Sequence, residues 1–348
     1  MQKVLTFILF LMFPLGVSAH HSISSIYDYG NILSLEGTVQ KVYWINPHVR
    51  INIEIVNADG EAEIWRLDGS AVNLLQRIGV TKDMLQAGDR VIAKGPASRR
   101  GEKIMLASLL VRPDGSQLVM FPGSAKRAGL IAADAKVGYS ENEARFIPAP
   151  GNQPDDMFRV WTPDNKPTTD SGLGIPPWPL TENALAAAAE YDPIADDPAA
   201  ACIQAGMPVI LDTPYPVEFL KRGDDIVVRT EEWDVERTFH MNAGDHVADS
   251  QALSPWGYSV GHWEDDVLVV KTTGINYPFF DDLGTPQTDQ MEIVERYRFD
   301  ADEPRLYWEA TAMDPNILTA PVVFEGDMVW VPGEMVKEFN CTIPELQE

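Results

Sequence analysis

Residues 34–68 read SLEGTVQKVYWINPHVRINIEIVNADGEAEIWRLD, and this stretch decides the fold of the N-terminal half of the chain. Apolar and polar residues alternate along Ser34–Ile45, His48–Val56 and Glu61–Asp68, which is the two-residue period of a half-buried β-strand. Residues 57–60, Asn-Ala-Asp-Gly, have the turn chemistry that joins two strands into a hairpin. The pattern predicts three consecutive antiparallel strands.

The segment that follows predicts the rest of a small barrel. Ser70–Ile78 has apolar residues at helical spacing and ends at Gly79, as a helix C-terminus often does. Arg90–Gly95 and Lys103–Arg112 predict two further strands. Three strands, a helix and two strands is the order of an OB-like five-stranded barrel, although other small α+β layouts share it. We therefore expect residues 20–122 to form an OB-like β domain.

The C-terminal part, residues 201–348, predicts a second domain, which is also built from strands. Its pattern indicates eight strands without a helix, which implies a closed or sandwiched antiparallel sheet. A calycin-like antiparallel β-barrel with an interior pocket and a packed β-sandwich both fit. The eight segments are 217–221, 225–231, 233–241, 257–263, 267–273, 291–299, 306–312 and 322–331.

Residues 123–200 differ from both halves because prolines are scattered through polar sequence. This composition predicts a linker between two domains, although a single domain would also fit the length. Met157, Trp161 and Trp178 are apolar exceptions that should dock onto a domain surface. A short alanine-rich helix is expected from Glu182. The linker is therefore predicted to be partly ordered.

The first nineteen residues predict export. Lys3 is followed by an apolar run, Val4–Val17, that is too short and too proline-interrupted to span a bilayer. Val17-Ser18-Ala19 offers the small residues that a signal peptidase reads, so we expect cleavage of residues 1–19 ahead of His20. The exported chain should be periplasmic or secreted, with no membrane anchor after cleavage.

Charge and cysteine content agree with this compartment. The formal net charge of −25 argues against nucleic acid or anionic lipid as partners and makes cations the natural counterparts. Cys202 and Cys341 are an even count of cysteines in an oxidising compartment, and a disulfide is the default interpretation.

Several motifs carry resemblances to known families. His20-His21-Ser22, Glu36-Gly37-Thr38-Val39 and Trp44-Ile45-Asn46-Pro47-His48 resemble the motifs of an uncharacterised family of exported bacterial domains, over residues 20–120. Residues 257–261, Gly-Tyr-Ser-Val-Gly, and 268–270, Leu-Val-Val, are similar to a second exported family that is rich in β-structure and has no assigned activity. These resemblances imply a fold and a compartment, but no reaction.

The histidines at the start of the exported chain suggest a metal site. A chain that begins at His20 offers its α-amine and its imidazole to one ion, and a third nitrogen from His48 or His21 would complete a histidine brace. Three nitrogen ligands favour Cu(II), with Zn(II) as the competitor. Cleavage one residue earlier would place a histidine third, which is also a copper-chelating terminus. The leading prediction is a periplasmic copper-binding protein.

The second domain offers weaker catalytic candidates. Glu232, Arg237, His240 and His262 lie on adjacent predicted strands, and a histidine beside a carboxylate can act as a general base. A cross-strand polar pair is the simpler interpretation. The alternative function is a protein that binds, or an enzyme that acts on, a small apolar molecule in the C-terminal barrel. Motifs of the common hydrolases, kinases and dehydrogenases are absent from the sequence.

Overall fold

A computed structural model describes residues 21–135, 137, 156–164, 178–243, 252–303 and 305–343 of the protein. The chain folds into two closed β-barrels, one after the other. The predicted signal peptide, residues 1–19, and His20 lie outside the described residues. Within the described ranges, no helix is both long enough and apolar enough to cross a membrane.

The first barrel has the order predicted from the sequence. Its strands follow one another as β1-β2-β3-β5-β4, and β4 pairs with β1 to close the ring. β3 and β5 are parallel and the other neighbours are antiparallel, so this OB-like five-stranded barrel is mixed. The elements are α1 (His21–Ile26), β1 (Tyr27–Tyr43), β2 (Arg50–Val56), β3 (Ala62–Asp68), α2 (Val72–Arg77), β4 (Arg90–Ser98), β5 (Ile104–Leu106), β6 (Leu109–Val111), β7 (Gln117–Val119) and α3 (Pro122–Arg127).

The alternating pattern of the sequence becomes the inside and outside of this barrel. Ile51 and Ile53 on β2 are fully buried, whereas Glu54 on the same strand is exposed to solvent. Leu75 of α2 is also fully buried in the same core. Gly95 on β4 lies very close to the backbone of the neighbouring strand β5, since a Cβ at this position would lie 1.8 Å from the carbonyl oxygen of Leu106.

The predicted last strand of the first barrel, Lys103–Arg112, is two short strands in the structure. β5 pairs with β3 and with the end of β4, whereas β6 pairs with the middle of β4 and with β7. The chain therefore changes neighbours at Ala107 and Ser108, which are both fully buried. A continuous apolar pattern could not reveal this break, because both halves are buried.

The second barrel has nine strands. They follow one another as β10-β11-β12-β13-β14-β15-β16-β8-β9, and β9 pairs with β10 to close the ring. The closed barrel confirms one of the two predicted alternatives, and a sandwich is not formed. The elements are β8 (Val160–Pro163), α4 (Glu182–Ala189), β9 (Val217–Arg222), β10 (Asp225–Thr230), β11 (Glu236–His240), β12 (Tyr258–Glu264), β13 (Val267–Thr273), β14 (Glu292–Asp300), β15 (Arg305–Met313) and β16 (Val322–Val329).

Two features of this barrel differ from the sequence-based expectation. The ninth strand, β8, comes from the segment predicted as a linker and lies between β16 and β9. β11 and β12 pair in parallel, with Phe239 opposite Ser259, so the prediction of a purely antiparallel sheet is wrong at this pair. Residues 241–257 connect these strands, and a connection of that length allows a parallel crossover that a tight hairpin would forbid.

The apolar residues of the predicted linker pack onto the second barrel. Trp161 on β8 is fully buried, and its indole nitrogen donates to the carbonyl of Met157. Trp178 contacts the rings of Phe280 and Phe324 edge-on. Cys202 and Cys341 form the predicted disulfide, which ties the C-terminal segment to the start of this half of the chain. This bond is consistent with an extracytoplasmic location.

Candidate functional site

His48 stands in the turn between β1 and β2, and its side chain is exposed. Its Nδ1 lies 3.1 Å from the carbonyl oxygen of Gly69. A carbonyl oxygen can only accept, so Nδ1 carries the proton of this hydrogen bond. In the neutral ring, Nε2 is therefore the nitrogen with a free lone pair. Metal-binding histidines commonly have this arrangement, in which one ring nitrogen is held by an acceptor and the other is left for the ion.

The start of β1 lies at the same end of the barrel as His48. The hydroxyl of Tyr27 donates to Oδ2 of Asp68 over 2.7 Å, and Asp68 directly precedes Gly69. Burial and the Asp68 charge raise the pKa of Tyr27, so the hydroxyl stays a donor. The second carboxylate oxygen, Oδ1, is buried without a hydrogen-bond partner among the described residues, and Nε of Arg50 lies 3.7 Å away. The chain entering β1 therefore passes close to Gly69 and His48.

The other two predicted metal ligands cannot be placed in the same way. His20 lies outside the described residues, and His21 is the first residue of α1, six residues before Tyr27. Among the residues that the structure describes, no three His, Cys, Asp or Glu side chains are grouped so that they could hold a metal ion. The described half of the predicted site is therefore His48 and the carbonyl that orients it.

The rest of the Trp-Ile-Asn-Pro-His turn serves the contact between the barrels. Asn46 is buried, its Oδ1 accepts from the backbone N–H of Val72, and its Nδ2 donates to the carbonyl of Phe339. The backbone carbonyl of Asn46 also accepts from Thr342. One side chain thus joins the start of α2 to the C-terminal segment that the disulfide holds.

A buried ion pair connects α2 to the second barrel. Both terminal nitrogens of Arg77 donate to the carboxylate of Glu231, and Asn73 donates to the same carboxylate over 2.9 Å. Arg77 also donates to Glu334 over 3.0 Å. Burial alone would lower the pKa of Arg77, but its hydrogen bonds and the negative charges of Glu231 and Glu334 outweigh burial and raise it. The guanidinium is therefore charged and fully paired.

Two carboxyl groups, those of Asp197 and Glu232, lie within the electrostatic influence of Asp282. Burial raises the pKa of Asp197, the charge of Asp282 adds to this, and His48 acts in the opposite direction. Burial also raises the pKa of Glu232 to about 8, a hydrogen bond with Thr213 opposes the shift, and Asp282 and Asp212 add to it. The region around Asp282 therefore favours cations or protons, and Glu232 is protonated at neutral pH.

The interior of the second barrel contains a second buried ion pair. Arg237 on β11 donates to both carboxylate oxygens of Glu295 on β14, over 3.0 and 2.6 Å. The hydroxyl of Tyr297 donates to the same carboxylate over 2.6 Å. Ser259 and Thr272 accept longer bonds from Arg237, at 3.3 and 3.2 Å. The network is neutral as a whole, and each charge has a partner.

A cavity of about 20 Å³ adjoins this network at one end of the barrel. Its walls are mainly apolar, and its polar lining comes from Thr213, Thr230, Arg237 and Tyr297. Nε of Arg237 is buried and has no hydrogen-bond partner among the described residues. Thr213 both lines the cavity and contacts Glu232, so Glu232 stands beside the cavity.

The four catalytic candidates from the sequence fall into two groups. Arg237 lines the cavity, and Glu232 contacts Thr213, which is another lining residue. His240 is paired with Asp225 over 3.2 Å and stacks on Tyr258, and it is not part of the cavity lining. His262 is exposed and paired with Glu264 over 3.2 Å.

Sequence reasoning missed the residues that connect the two barrels. Asn73 and Arg77 lie on α2, and Glu231 lies just before the 3-10 turn Glu232–Asp234. An arginine at a buried position of a predicted helix was the available signal, because buried arginines need an acidic partner. The partner itself is 154 residues away along the chain and could not be recognised from spacing.

Comparison with known proteins names only the N-terminal part. Residues 11–107 match a family described as "Family of unknown function (DUF6152)". The match ends just after β5, so it covers most of the first barrel and none of the second. No curated protein matches the chain.

Proposed function

We propose that this protein is a periplasmic metal-binding protein that takes up copper at the His48 end of its first barrel. The observation that carries the proposal is the His48 ring, which is exposed, held at Nδ1 by the Gly69 carbonyl, and without a hydrogen bond at Nε2 among the described residues. The hydrogen bond fixes both the tautomer and the ring orientation, which lowers the cost of ordering a ligand when the ion binds. His48 would supply one of three nitrogens.

The remaining nitrogens come from the start of the exported chain in this proposal. The α-amine and imidazole of His20 would close a chelate ring, with His21 as the alternative to His48 for the third nitrogen. The Tyr27–Asp68 hydrogen bond supports this, since it fixes the start of β1 beside Gly69. Three nitrogen donors favour Cu(II) over Zn(II) on affinity alone.

The electrostatic surroundings also suit a cation. Burial raises the pKa of Asp197, the charge of Asp282 adds to this shift, and His48 lies close enough to oppose it. The whole chain has a formal net charge of −25, which raises the local concentration of cations. The proposal assigns binding and gives the protein no reaction.

The test is a titration of four proteins with Cu(II) and with Zn(II). They are the chain beginning at His20, the same chain with Ala19 retained, the His48→Ala variant and the His262→Ala variant. Loss of the His48 ligand should weaken copper binding by about 100-fold or more, since even changes to residues that only orient ligands cost about 10–100-fold. His262 is an exposed histidine elsewhere, so its variant is the matched control.

The retained Ala19 moves the α-amine away from His20 and places His21 third, a terminus that can chelate copper without His48. The Cu(II) absorption spectrum of this chain should therefore differ from that of the chain beginning at His20. Affinity should also fall as the pH is lowered, because protons compete for the same nitrogens. Equal copper affinity in all four proteins would contradict the proposal. Weakening by His48→Ala, together with an unchanged Cu(II) spectrum when Ala19 is retained, would keep His48 as a ligand but exclude the brace.

A further inference from the structure

The Cys202–Cys341 disulfide fastens the C-terminal segment to the Trp-Ile-Asn-Pro-His turn. Asn46 of this turn forms a parallel β-bridge with Cys341, and its carbonyl oxygen accepts from the backbone N–H of Thr342 over 3.0 Å. His48 lies only two residues after Asn46. The disulfide therefore holds a segment that is in direct contact with the turn that carries His48.

The other half of the disulfide also lies near His48. Cys202 follows the 3-10 turn Pro198–Ala201, and its backbone N–H donates to the carbonyl of Ala199 over 3.1 Å. Asp197 caps the start of this turn, since its Oδ1 accepts from the backbone N–H of Ala199 over 2.9 Å. Burial raises the pKa of Asp197, and His48 lies close enough to oppose that shift. Both cysteines thus belong to segments that lie beside the His48 end of the first barrel.

The second barrel is closed by its strand pairs and does not need the disulfide for closure. The backbone N–H of Phe339 donates to Asp234 over 2.8 Å, which anchors the C-terminal segment ahead of the disulfide. Residues 340–343 come after this anchor, and they are held by the disulfide, by Asn46 and by a longer bond of 3.3 Å to Asp234. Residues near a chain end are poorly ordered unless they are tied down. Opening the disulfide should therefore free this short segment and leave the barrel closed.

The disulfide lies near the molecular surface. Both cysteines are partly exposed, and the nearby Ile203 and Ile343 are exposed. A thiolate of a dithiol can attack one sulfur and break the S–S bond, and the second thiol of the donor then displaces the mixed disulfide. Two electrons and two protons pass to Cys202 and Cys341, which become thiols, while the donor becomes a disulfide.

We propose that the Cys202–Cys341 disulfide is a redox-sensitive latch on the His48 turn, and that its reduction by a dithiol weakens the copper site. This inference rests on the proposed function, because the turn carries one of the proposed ligands. Reduction frees residues 340–343, so the carbonyl of Asn46 loses the N–H of Thr342 and the turn becomes looser. His48 is then held less firmly in the orientation that the other ligands require, and the copper affinity falls.

A metal-free measurement tests the latch itself. The chain that begins at His20 is compared before and after reduction with dithiothreitol, by backbone hydrogen exchange and by ¹H–¹⁵N signals. Reduction should remove the protection of the Thr342 N–H from exchange and shift the signals of Asn46 and His48. Residues 222–225 form the hairpin at the opposite end of β10 from the turn that contacts the C-terminal segment, so their signals should stay in place.

A copper titration tests the consequence for the proposed site. The double variant Cys202→Ala/Cys341→Ala removes the latch and leaves no thiol to bind copper itself. It should bind Cu(II) about tenfold more weakly than the unmodified chain, the lower end of the cost of changing residues that orient ligands. Ile343→Ala changes the same segment but keeps the disulfide, so it is the matched control and should bind as the unmodified chain does. If the double variant does not fold, the exchange measurement on the reduced chain decides.

Three results would overturn the proposal. The first is a Thr342 N–H that stays protected after reduction, because the segment would then be held without the disulfide. The second is a set of shifts that includes residues 222–225, which would make the disulfide a general support of the barrel. The third is equal copper affinity of the double variant and the unmodified chain. If the unmodified chain binds no copper, the proposed function fails, whereas shifts of Asn46 and His48 on reduction would still support the latch.

Discussion

Glu232 shows how a single side chain can acquire an unusual property from its position. It follows the buried Glu231, contacts Thr213 at the cavity, and lies within the influence of Asp282 and Asp212. Burial is the largest cause of its pKa of about 8, against an ordinary value of 4.5. A neutral carboxyl can donate a hydrogen bond at neutral pH, which an ordinary glutamate cannot.

This pKa predicts a pH dependence of stability. Between pH 4.5 and about 8 the folded chain keeps a proton on Glu232 that the unfolded chain has released. The contribution of Glu232 to the free energy of unfolding is therefore fully present below pH 4.5, and it is lost as the pH rises through about 8. Glu232→Gln should therefore raise the free energy of unfolding, relative to the unmodified protein, more at pH 8.5 than at pH 5. The difference between the two pH values should be at least about 1.4 kcal/mol, the equivalent of one pKa unit.

Urea unfolding of both proteins at the two pH values measures this difference. Glu325→Gln, at an exposed glutamate on β16, is the matched control and should follow the unmodified protein. If Glu232→Gln and the unmodified protein have parallel pH profiles, Glu232 has an ordinary pKa.

At the scale of elements, the turn Glu231–Asp234 connects the first barrel, the cavity and the C-terminal segment. Glu231 binds Arg77 of the first barrel, and Glu232 contacts Thr213 at the cavity. Trp233 packs on Phe339 with a centroid distance of 5.1 Å, and Asp234 accepts from the backbone N–H of Phe339 over 2.8 Å. Trp233 adopts a left-handed backbone with φ of 62°, a conformation that costs about 1–3 kcal/mol and persists only where the surroundings enforce it.

Strand β8 is the element whose removal should open the second barrel. It spans only Val160–Pro163 but pairs with both β16 and β9, and Trp161 fills the core beneath it. Trp161→Ala should destabilise the protein by about 3–5 kcal/mol, as large-to-small changes of buried tryptophans do. Chemical unfolding measures the loss.

The matched control for this prediction is Trp263→Ala, because Trp263 on β12 is 46% exposed. Its loss should cost far less than the loss of Trp161. Equal effects of the two substitutions would mean that β8 contributes no more to the barrel than a surface side chain.

At the scale of the whole molecule, the two barrels contact each other through buried polar groups. Arg77, Asn73 and Asn46 of the first barrel meet Glu231 and the C-terminal segment of the second. Buried ion pairs contribute little net stability because desolvation offsets the attraction, but they are costly to break. Their effect here is to fix how the barrels are placed.

Breaking this pair on one side should therefore be strongly destabilising. Arg77→Met leaves Glu231 buried and unpaired, and we expect a loss of about 3–5 kcal/mol in chemical unfolding. Adding Glu231→Gln removes the unpaired charge and should recover part of that loss. Arg222→Met, which removes an exposed partner of Glu236, is the control and should change stability little. An unchanged stability of Arg77→Met would show that the barrels are independent at this contact.

The sequence alone determined most of the strands of both barrels. Alternation of apolar and polar residues is a local property, and it placed β2 to β4 and the eight strands after Cys202 close to their observed bounds. The first strand was predicted from Ser34, whereas β1 begins at Tyr27. The predicted export to an oxidising compartment and the even count of cysteines together predicted the Cys202–Cys341 disulfide. The order of elements predicted an OB-like barrel, and the structure decided between it and the other small α+β layouts that share this order.

Only the tertiary structure decided how these elements meet. The inclusion of β8, the parallel β11–β12 pair and the Arg77–Glu231 contact all join segments that are distant along the chain. The Trp-Ile-Asn-Pro-His turn illustrates the limit, since its pattern does not say that Asn46 turns inward to the second barrel while His48 faces solvent. The burial of a residue and the pairing of a strand depend on which surfaces meet in three dimensions. A local sequence pattern does not identify the distant segment that it contacts.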